Sequence, residues 1–263
     1  MIRALYTSAS GMKAEEMVID VTANNLANLN TAGFKRSLVS FKDLVYINQQ
    51  PPGIQDSQGN MIPTGLEIGS GVAISSTMKQ FTMGPLRHTG NSLDIAIEGE
   101  GFFQILMPNG EIRYTRSGHF RLDQNRQIVT PEGYPLEPAI TIPQDAIQIS
   151  VSRDGTVSVI TAGAPTTATI VGNIQVAMFA NPAGLRSEGH NLYSETPASG
   201  PPILTVPGQN GAGTLLGEFI EESNVEVVTE LVTLILAQRA YEINSRAIRA
   251  GDAMLETANQ LTR

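Results

Sequence analysis

The chain has no cysteine and no tryptophan in 263 residues. The first absence excludes disulfides, thiolate metal sites and cysteine nucleophiles together, and suits a protein that must not cross-link during export. Charge is also scarce, at 16% of residues, and the net charge of -8 is shared as +1 over residues 1–36, -5 over 37–216 and -4 over 217–263. No basic patch invites nucleic acid or an anionic membrane surface. No segment approaches about 18 consecutive apolar residues, so no membrane insertion is expected. The start, MIRALYTSASGMKAEE, carries one early arginine but no apolar run of about 7 to 15 residues. The expectation is a cytoplasmic protein, or one that leaves the cell without a cleaved signal peptide.

What is present is a turn-rich composition, with Gly 25, Pro 15, hydrophobic residues at 41% and aromatics at only 5%. That favours a turn-rich β protein with enough apolar material for a core. The two ends differ. Leu5, Met12, Ile19 and Leu26 recur every seven positions at the front, and Val227, Leu234, Tyr241, Ile248 and Leu255 do so at the back. A seven-residue apolar repeat on a helix makes a narrow seam that another helix covers. Three positions beyond the C-terminal seam lies a second, mostly small row, Ala237, Asn244, Gly251 and Ala258, where a neighbouring helix can come close.

The first helix is expected from residue 3 to about 29. It ends in a polar run whose Asn24, Asn25 and Asn28 are expected as interhelical contacts, with Gly33 as the stop. The second is expected from Val225 to about Leu261, roughly 55 Å long. Ser223-Asn224-Val225-Glu226 fits a capping box, and Glu218, Glu221, Glu222 and Glu226 place negative charge at its positive end. One seam buries too little to hold such long helices alone, so both ends are expected to be marginal in a monomer.

Between them, Phe34 to Ile47 suits a short strand or helical turn, and Gln49 to Asn60 is an extended Pro/Gly/Gln loop. From Gly71 to about Phe219, short β segments alternate with turns. Phe102–Met107, Pro108-Asn109-Gly110 and Glu111–Thr115 make a hairpin. Turns at Arg116-Ser117-Gly118, Asp123-Gln124-Asn125, Pro131-Glu132-Gly133 and Arg153-Asp154-Gly155 suit an antiparallel barrel or sandwich. The expected fold class is α+β. Residues 1–33 supply the N-terminal helix of a coiled-coil-like domain, 34–72 a connecting segment with the loop, 73–219 a central antiparallel all-β domain, and 220–263 the C-terminal helix.

Chemistry-bearing patterns are absent. His88, His119 and His190 lack metalloprotease spacing, and no Gly-x-Ser-x-Gly elbow occurs. Gly99-Glu100-Gly101 leads into a strand and is a tight backbone spot, not a dinucleotide fingerprint. Glu98 and Glu100 could mimic a glycosidase pair but suit solvated strand-end carboxylates better. No catalytic, cofactor-binding or metal residues are assigned, and no enzyme is expected.

Ser8-Ala9-Ser10-Gly11-Met12, Ala23-Asn24-Asn25-Leu26-Ala27-Asn28 and Thr31-Ala32-Gly33-Phe34-Lys35-Arg36 resemble the N-terminal signature of the bacterial flagellar rod and hook family. Glu222-Ser223-Asn224-Val225-Glu226-Val227 and Gln238-Arg239-Ala240-Tyr241-Glu242-Ile243-Asn244-Ser245 are similar to its C-terminal motif. Gly99-Glu100-Gly101-Phe102-Phe103, Tyr114-Thr115-Arg116-Ser117-Gly118 and Gly211-Ala212-Gly213 extend the likeness through the middle. The segment 49–72, with Pro51-Pro52-Gly53 and Pro63-Thr64-Gly65-Leu66-Glu67-Ile68-Gly69, resembles the distal-rod members.

The resemblance implies a structural subunit of a rigid hollow drive shaft in the basal body. It would be exported unfolded through the flagellar type III apparatus, polymerise helically, and transmit torque while export substrates pass along its channel. The implied partners are further copies of itself, proximal rod proteins, the hook protein, and the P-ring and L-ring proteins. The self-assembly residues would be those of the two seams, the small row and the three asparagines. A rod-stiffening loop is expected around Gln50, Pro51, Pro52, Gly53, Ile54 and Pro63. The alternatives are a proximal rod or hook-type axial protein, or a secreted β protein that binds peptidoglycan or carbohydrate.

Overall fold

A computed structural model describes residues 2–50, 53 and 64–261. The fold is α+β, with a long helix near each end and strands between them. The chain forms two compact units. The first gathers Met1–Leu26, Ser37–Met78 and Val227–Arg263, and the second gathers Ala27–Arg36 and Lys79–Glu226. Chain crossings thus fall after residues 26, 36, 78 and 226, whereas the sequence suggests boundaries after 33, 72 and 219. The difference comes from pairing: strand Ser37–Asp43 joins strand Val72–Lys79, which draws residues 37–78 in with the helices.

In the first unit, helix α1 spans Ile2–Ala27 and helix α2 spans Val227–Leu261. After α1 the chain turns where the Thr31 N–H donates to the Asn28 carbonyl at 3.2 Å, and Gly33 takes φ 71°. A side chain at Gly33 would both strain that dihedral and place a Cβ 2.5 Å from the Ser117 nitrogen. At 1.5 Å per residue, α2 is roughly 52 Å long. The helix starts two residues later than expected. The Ser223 hydroxyl accepts the Val225 N–H at 3.3 Å, closing a local turn before the helix begins at Val227. Two of the carboxylates expected at its dipole are engaged elsewhere, Glu221 with Lys35 and Arg116, and Glu222 with Arg87 at 2.7 Å.

The segment after α1 is a β ribbon. Strand Tyr46–Gln50 pairs antiparallel with Leu66–Gly69, Tyr46 opposite Gly69 and Ile47 opposite Ile68. The Leu44 N–H donates to the Gly71 carbonyl at 2.9 Å, continuing the ribbon toward the pair Ser37–Asp43 and Val72–Lys79. Gln50 therefore ends a strand. Of the expected stiffening loop, Pro51, Pro52, Ile54 and Pro63 lie outside the described residues. Gly53 is described, with φ 87° and nothing within 4 Å of an added Cβ.

The second unit is built from antiparallel strands. A five-stranded sheet runs in the order Leu136–Glu137, Phe103–Leu106, Ile112–Thr115, Leu192–Ser194, Arg186–Gly189. A three-stranded sheet joins Ala146–Val151, Thr156–Thr161 and Ala164–Asn173. The expected hairpin forms in register, Phe103 opposite Thr115 and Leu106 opposite Ile112, with Gly110 at φ 83° in its turn. Alternation along Thr156–Thr161 buries Val157 and Val159 on one face, as a half-solvated strand requires. They join Ile97, Phe103, Phe120 and Leu215 in the main core. A second cluster stacks Phe102, Tyr114, Phe179 and Tyr193 edge to face, with Phe81 against it.

Candidate assembly site

Within the helical unit, α1 and α2 run antiparallel. Asn25 meets Glu230, a Cβ on Gly11 would lie 2.8 Å from the Asn244 amide nitrogen, and one on Gly251 would lie 2.7 Å from Leu5 Cδ2. The row of α2 that lies against α1 is therefore Glu230, Ala237, Asn244 and Gly251, spaced by seven. Of the small row, Ala237 and Gly251 are buried, and Asn244 and Ala258 half-buried. Small side chains and a glycine on each helix let the backbones approach there, so this row wins over the bulkier seam.

The C-terminal seam flanks that contact. Val227 and Tyr241 are exposed, while Leu234, Ile248 and Leu255 are half-buried. The seam keeps three residues from the covered row at every repeat, about 60° around the helix, so it lies along the edge of that contact. Leu5, Met12, Ile19 and Leu26 on α1 are all half-buried; its buried positions are Ala14, Thr22 and Asn25. Of the three asparagines, Asn25 is buried, Asn28 half-buried and Asn24 exposed. The Asn28 side chain accepts the Thr31 hydroxyl at 3.2 Å, so it shapes the turn after the helix.

Opposite the covered row, α2 presents Val228, Val232, Ile235, Leu236 and Ile243, between 51% and 69% exposed. Successive helical residues are about 100° apart, which places these five on one side. The β ribbon is also bare: Val45 is 81% exposed, and Tyr46, Ile47, Leu66 and Ile68 are exposed as well. A folded chain seldom leaves apolar side chains so open over two of its elements unless something covers them.

The second unit holds a buried charge cluster that sequence reasoning missed. The Glu221 carboxylate receives the Lys35 ammonium, the Gly84 N–H at 2.9 Å and the Arg116 Nε at 3.0 Å. Lys35 also donates to the Thr82 carbonyl at 2.7 Å, and Arg116 to the carbonyls of Gly101 at 2.7 Å and Gly99 at 2.8 Å. All three charged side chains are at most 3% exposed. Burial pushes the Lys35 ammonium below the ordinary lysine range, with Arg116 adding to the push and Glu221 opposing it. Burial likewise raises the Tyr193 phenol, and raises that of Tyr114 to about 12.

Beside this cluster, Asn224 accepts the Arg36 N–H at 2.7 Å and donates to the Gln80 carbonyl at 2.8 Å and the Thr82 hydroxyl at 2.9 Å. Residues 33–36, 80–84, 116 and 221–224 are thus fastened together. These are the segments from which the chain enters and leaves the β unit. Gly99 and Gly101 are the tight spot expected: both have positive φ, and a Cβ on Gly101 would meet Val176 at 2.1 Å. They also present the carbonyls that Arg116 grips. The signal that could have found the cluster was charge standing in otherwise charge-poor motifs, Lys35 in the first and Arg116 in the middle, against Glu221 just before the last.

The histidines have local roles. His119 Nδ1 lies 2.8 Å from Asp94 Oδ1, the His88 ring packs 4.9 Å from that of Phe219, and His190 sits in a turn at φ 52°. Among the described residues, no three His, Asp or Glu side chains come together as a metal group. No described helix is long and apolar enough to cross a membrane.

Three family models match the chain. The flagella basal body rod protein model covers residues 5–35, the FlgE/F/G hook protein D1 domain residues 96–159, and the basal body rod FlgEFG C-terminal model residues 216–261. The chain is similar to flagellar basal-body rod protein FlgG of Buchnera aphidicola subsp. Schizaphis graminum, 47% identical over 99% of this chain and 100% of that one. It is 46% identical to FlgG of Caulobacter vibrioides over 99% of both chains, and 38% identical to FlgG of Bacillus subtilis over 100% of both. At such identity over full length, the chain belongs to the FlgG family of flagellar basal-body rod proteins.

Proposed function

We propose that this chain is a structural subunit of the distal rod, and that copies of it polymerise helically into a rigid hollow shaft. The helical units of many copies form the inner wall, covering one another's apolar faces. The shaft carries torque toward the hook and leaves a channel for export substrates. Its neighbours are the proximal rod below, the hook protein above and the P-ring and L-ring proteins around it, and the subunit reaches its place through the type III apparatus. The two seams, the small row and Asn24, Asn25 and Asn28 belong to this wall, together with the outer face of α2.

The observation that carries the reading is the contrast on α2: Ala237 and Gly251 are covered by α1, while Ile235, Leu236 and Ile243 on the far side are open. Burying an aliphatic side chain is worth about 1.5–3 kcal/mol, so a few such residues repeated in every copy suffice to drive assembly. Electron microscopy of concentrated protein tests it. Straight tubes are expected from the native chain, and none from Ile235→Lys/Ile243→Lys, which keeps the monomer's circular dichroism. Tubes from that variant would refute the inner-wall assignment.

The loop carrying Gln50, Pro51, Pro52, Gly53, Ile54 and Pro63 stiffens the shaft by bridging neighbouring copies. Its deletion from Gln50 to Asn60 takes only the last residue of the strand and leaves Tyr46, Ile47 and Asn48 paired with Gly69, Ile68 and Glu67. Curved tubes are expected from the deletion, and straight ones would sink this role.

A further inference from the structure

We propose that Asn25 and Glu230 act as a pairing key that fixes the register in which α1 meets the small row of α2, and so holds the outer apolar face of α2 in place for a second copy of the chain. The idea rests on the reading that copies cover one another's helices, although its test needs no polymer. Both side chains are 1% exposed, in a helix pair that buries little else.

The key is assembled in two steps of geometry. Asn25 Oδ1 accepts the Ser37 N–H at 2.9 Å, and its Nδ2 donates to the Ser37 carbonyl at 2.9 Å. Ser37 is only 12 residues away in sequence, so this bracket orients the carboxamide locally. The Nδ2 group has a second proton, and it reaches Glu230 Oε2 at 3.3 Å. An α2 helix fits this donor only where it presents an acceptor.

The small row chooses the face, through close approach at Gly11 and Gly251, and leaves the register along it to the key. Ala237, Gly251 and Ala258 are small enough to accept α1 in several registers, and the large seam of Val227, Leu234 and Tyr241 offers more apolar area than the row actually used. Sliding α2 by one turn would bring Leu234 over the oriented donor, and sliding it by a heptad would bring Ala237. Neither can accept a hydrogen bond. Each slip leaves one buried N–H of the Asn25 amide without its acceptor and separates it from the Glu230 carboxylate, a penalty that the apolar contacts do not carry. A polar pair within an apolar repeat sets register in this way in helical assemblies generally, at some cost in stability.

The absence of native cysteine permits clean spin labelling of the full chain at Glu16→Cys and Arg246→Cys, both exposed positions. Pulsed EPR on dilute monomer should give one narrow distance. Asn25→Leu/Glu230→Leu should retain helix content and lose the single peak, splitting or broadening the distribution. Asn25→Asp should broaden it too, by setting two carboxylates together. An unchanged single distance in either variant overturns the key. A native chain that gives the expected EPR pattern but no tubes would leave the key standing and refute the shaft.

Discussion

The two units of this protein handle apolar surface in opposite ways. In the β unit, Phe103, Ile97, Leu215 and Val159 are completely covered by their own chain. In the helical unit, Val228 is 69% and Ile243 65% exposed, and the ribbon residue Val45 is 81% exposed. Their buried polar groups differ as well. Glu221 is held by two cationic side chains and a backbone N–H within one unit's core, whereas Asn25, bracketed by Ser37, reaches Glu230 across a helix pair. A closed core with satisfied charges specifies one structure by itself. A helix pair with a bare outer face is completed by something outside the chain, which is what a subunit of a polymer requires.

The comparison is broken most strongly by removing a core ring. Phe103 packs edge to face on Phe120 at 5.2 Å, inside the main cluster. Phe103→Ala should cost the β unit about 3–5 kcal/mol, seen as a lower urea midpoint of its near-ultraviolet signal. Glu221→Gln should follow at about 3 kcal/mol, because it leaves Lys35 and Arg116 buried together without their carboxylate. Hydrogen exchange should rise at residues 33–36 and 80–84, where the cluster fastens backbone. If exchange there stays at the native level, the cluster does not hold those segments.

Alkaline pH offers a smaller effect that also singles out the β unit. The Tyr114 phenol is raised from 10.0 to about 12 by burial. Between those values the unfolded chain has lost this proton and the folded one retains it, so stability falls as pH rises, by up to about 3 kcal/mol. Tyr193, raised further, acts in the same direction. Lys35 opposes them, since its lowered ammonium makes the unfolded state the better proton binder below the ordinary lysine range. Tyr114→Phe should flatten the decline in urea midpoint between pH 10 and about 12. An unaltered slope would place the titration elsewhere.

Periodicity revealed much of this organisation before any coordinates. The heptads located both helices, and Asn109-Gly110 located its hairpin, because each is a local pattern with a local consequence. What pairs across the chain was not legible. The ribbon formed by Tyr46–Gln50 and Leu66–Gly69 is interrupted by a Pro/Gly-rich stretch that masks the partnership of its strands. The Lys35, Arg116 and Glu221 cluster joins residues as far as 186 positions apart, and no spacing rule connects them. The helix start was misjudged for a related reason: Ser223-Asn224-Val225-Glu226 has the letters of a cap, but Asn224 is committed to Arg36, Gln80 and Thr82 and the helix begins only at Val227. The small row could be seen in the sequence. That it, and not the large seam, would lie against α1 followed from close approach at Gly11 and Gly251 together with the polar contact at Glu230.

The smallest expected effect sharpens the comparison best. Ile243 is 65% exposed on α2, so truncating it removes few contacts within the chain. Alanine is also the better helix former, because a β-branched side chain loses rotamer freedom against the preceding turn. Ile243→Ala should therefore leave the monomer's helical melting within about 0.5 kcal/mol of native, or raise it slightly. Assembly should respond in the opposite sense. Each copy in a polymer would lose the burial of one aliphatic side chain, and the critical concentration for tube formation should rise by about tenfold or more. A substitution that is silent in the monomer and costly in the polymer locates Ile243 on a surface that only another copy covers. Equal effects in both would mean that α2 is already complete within a single chain.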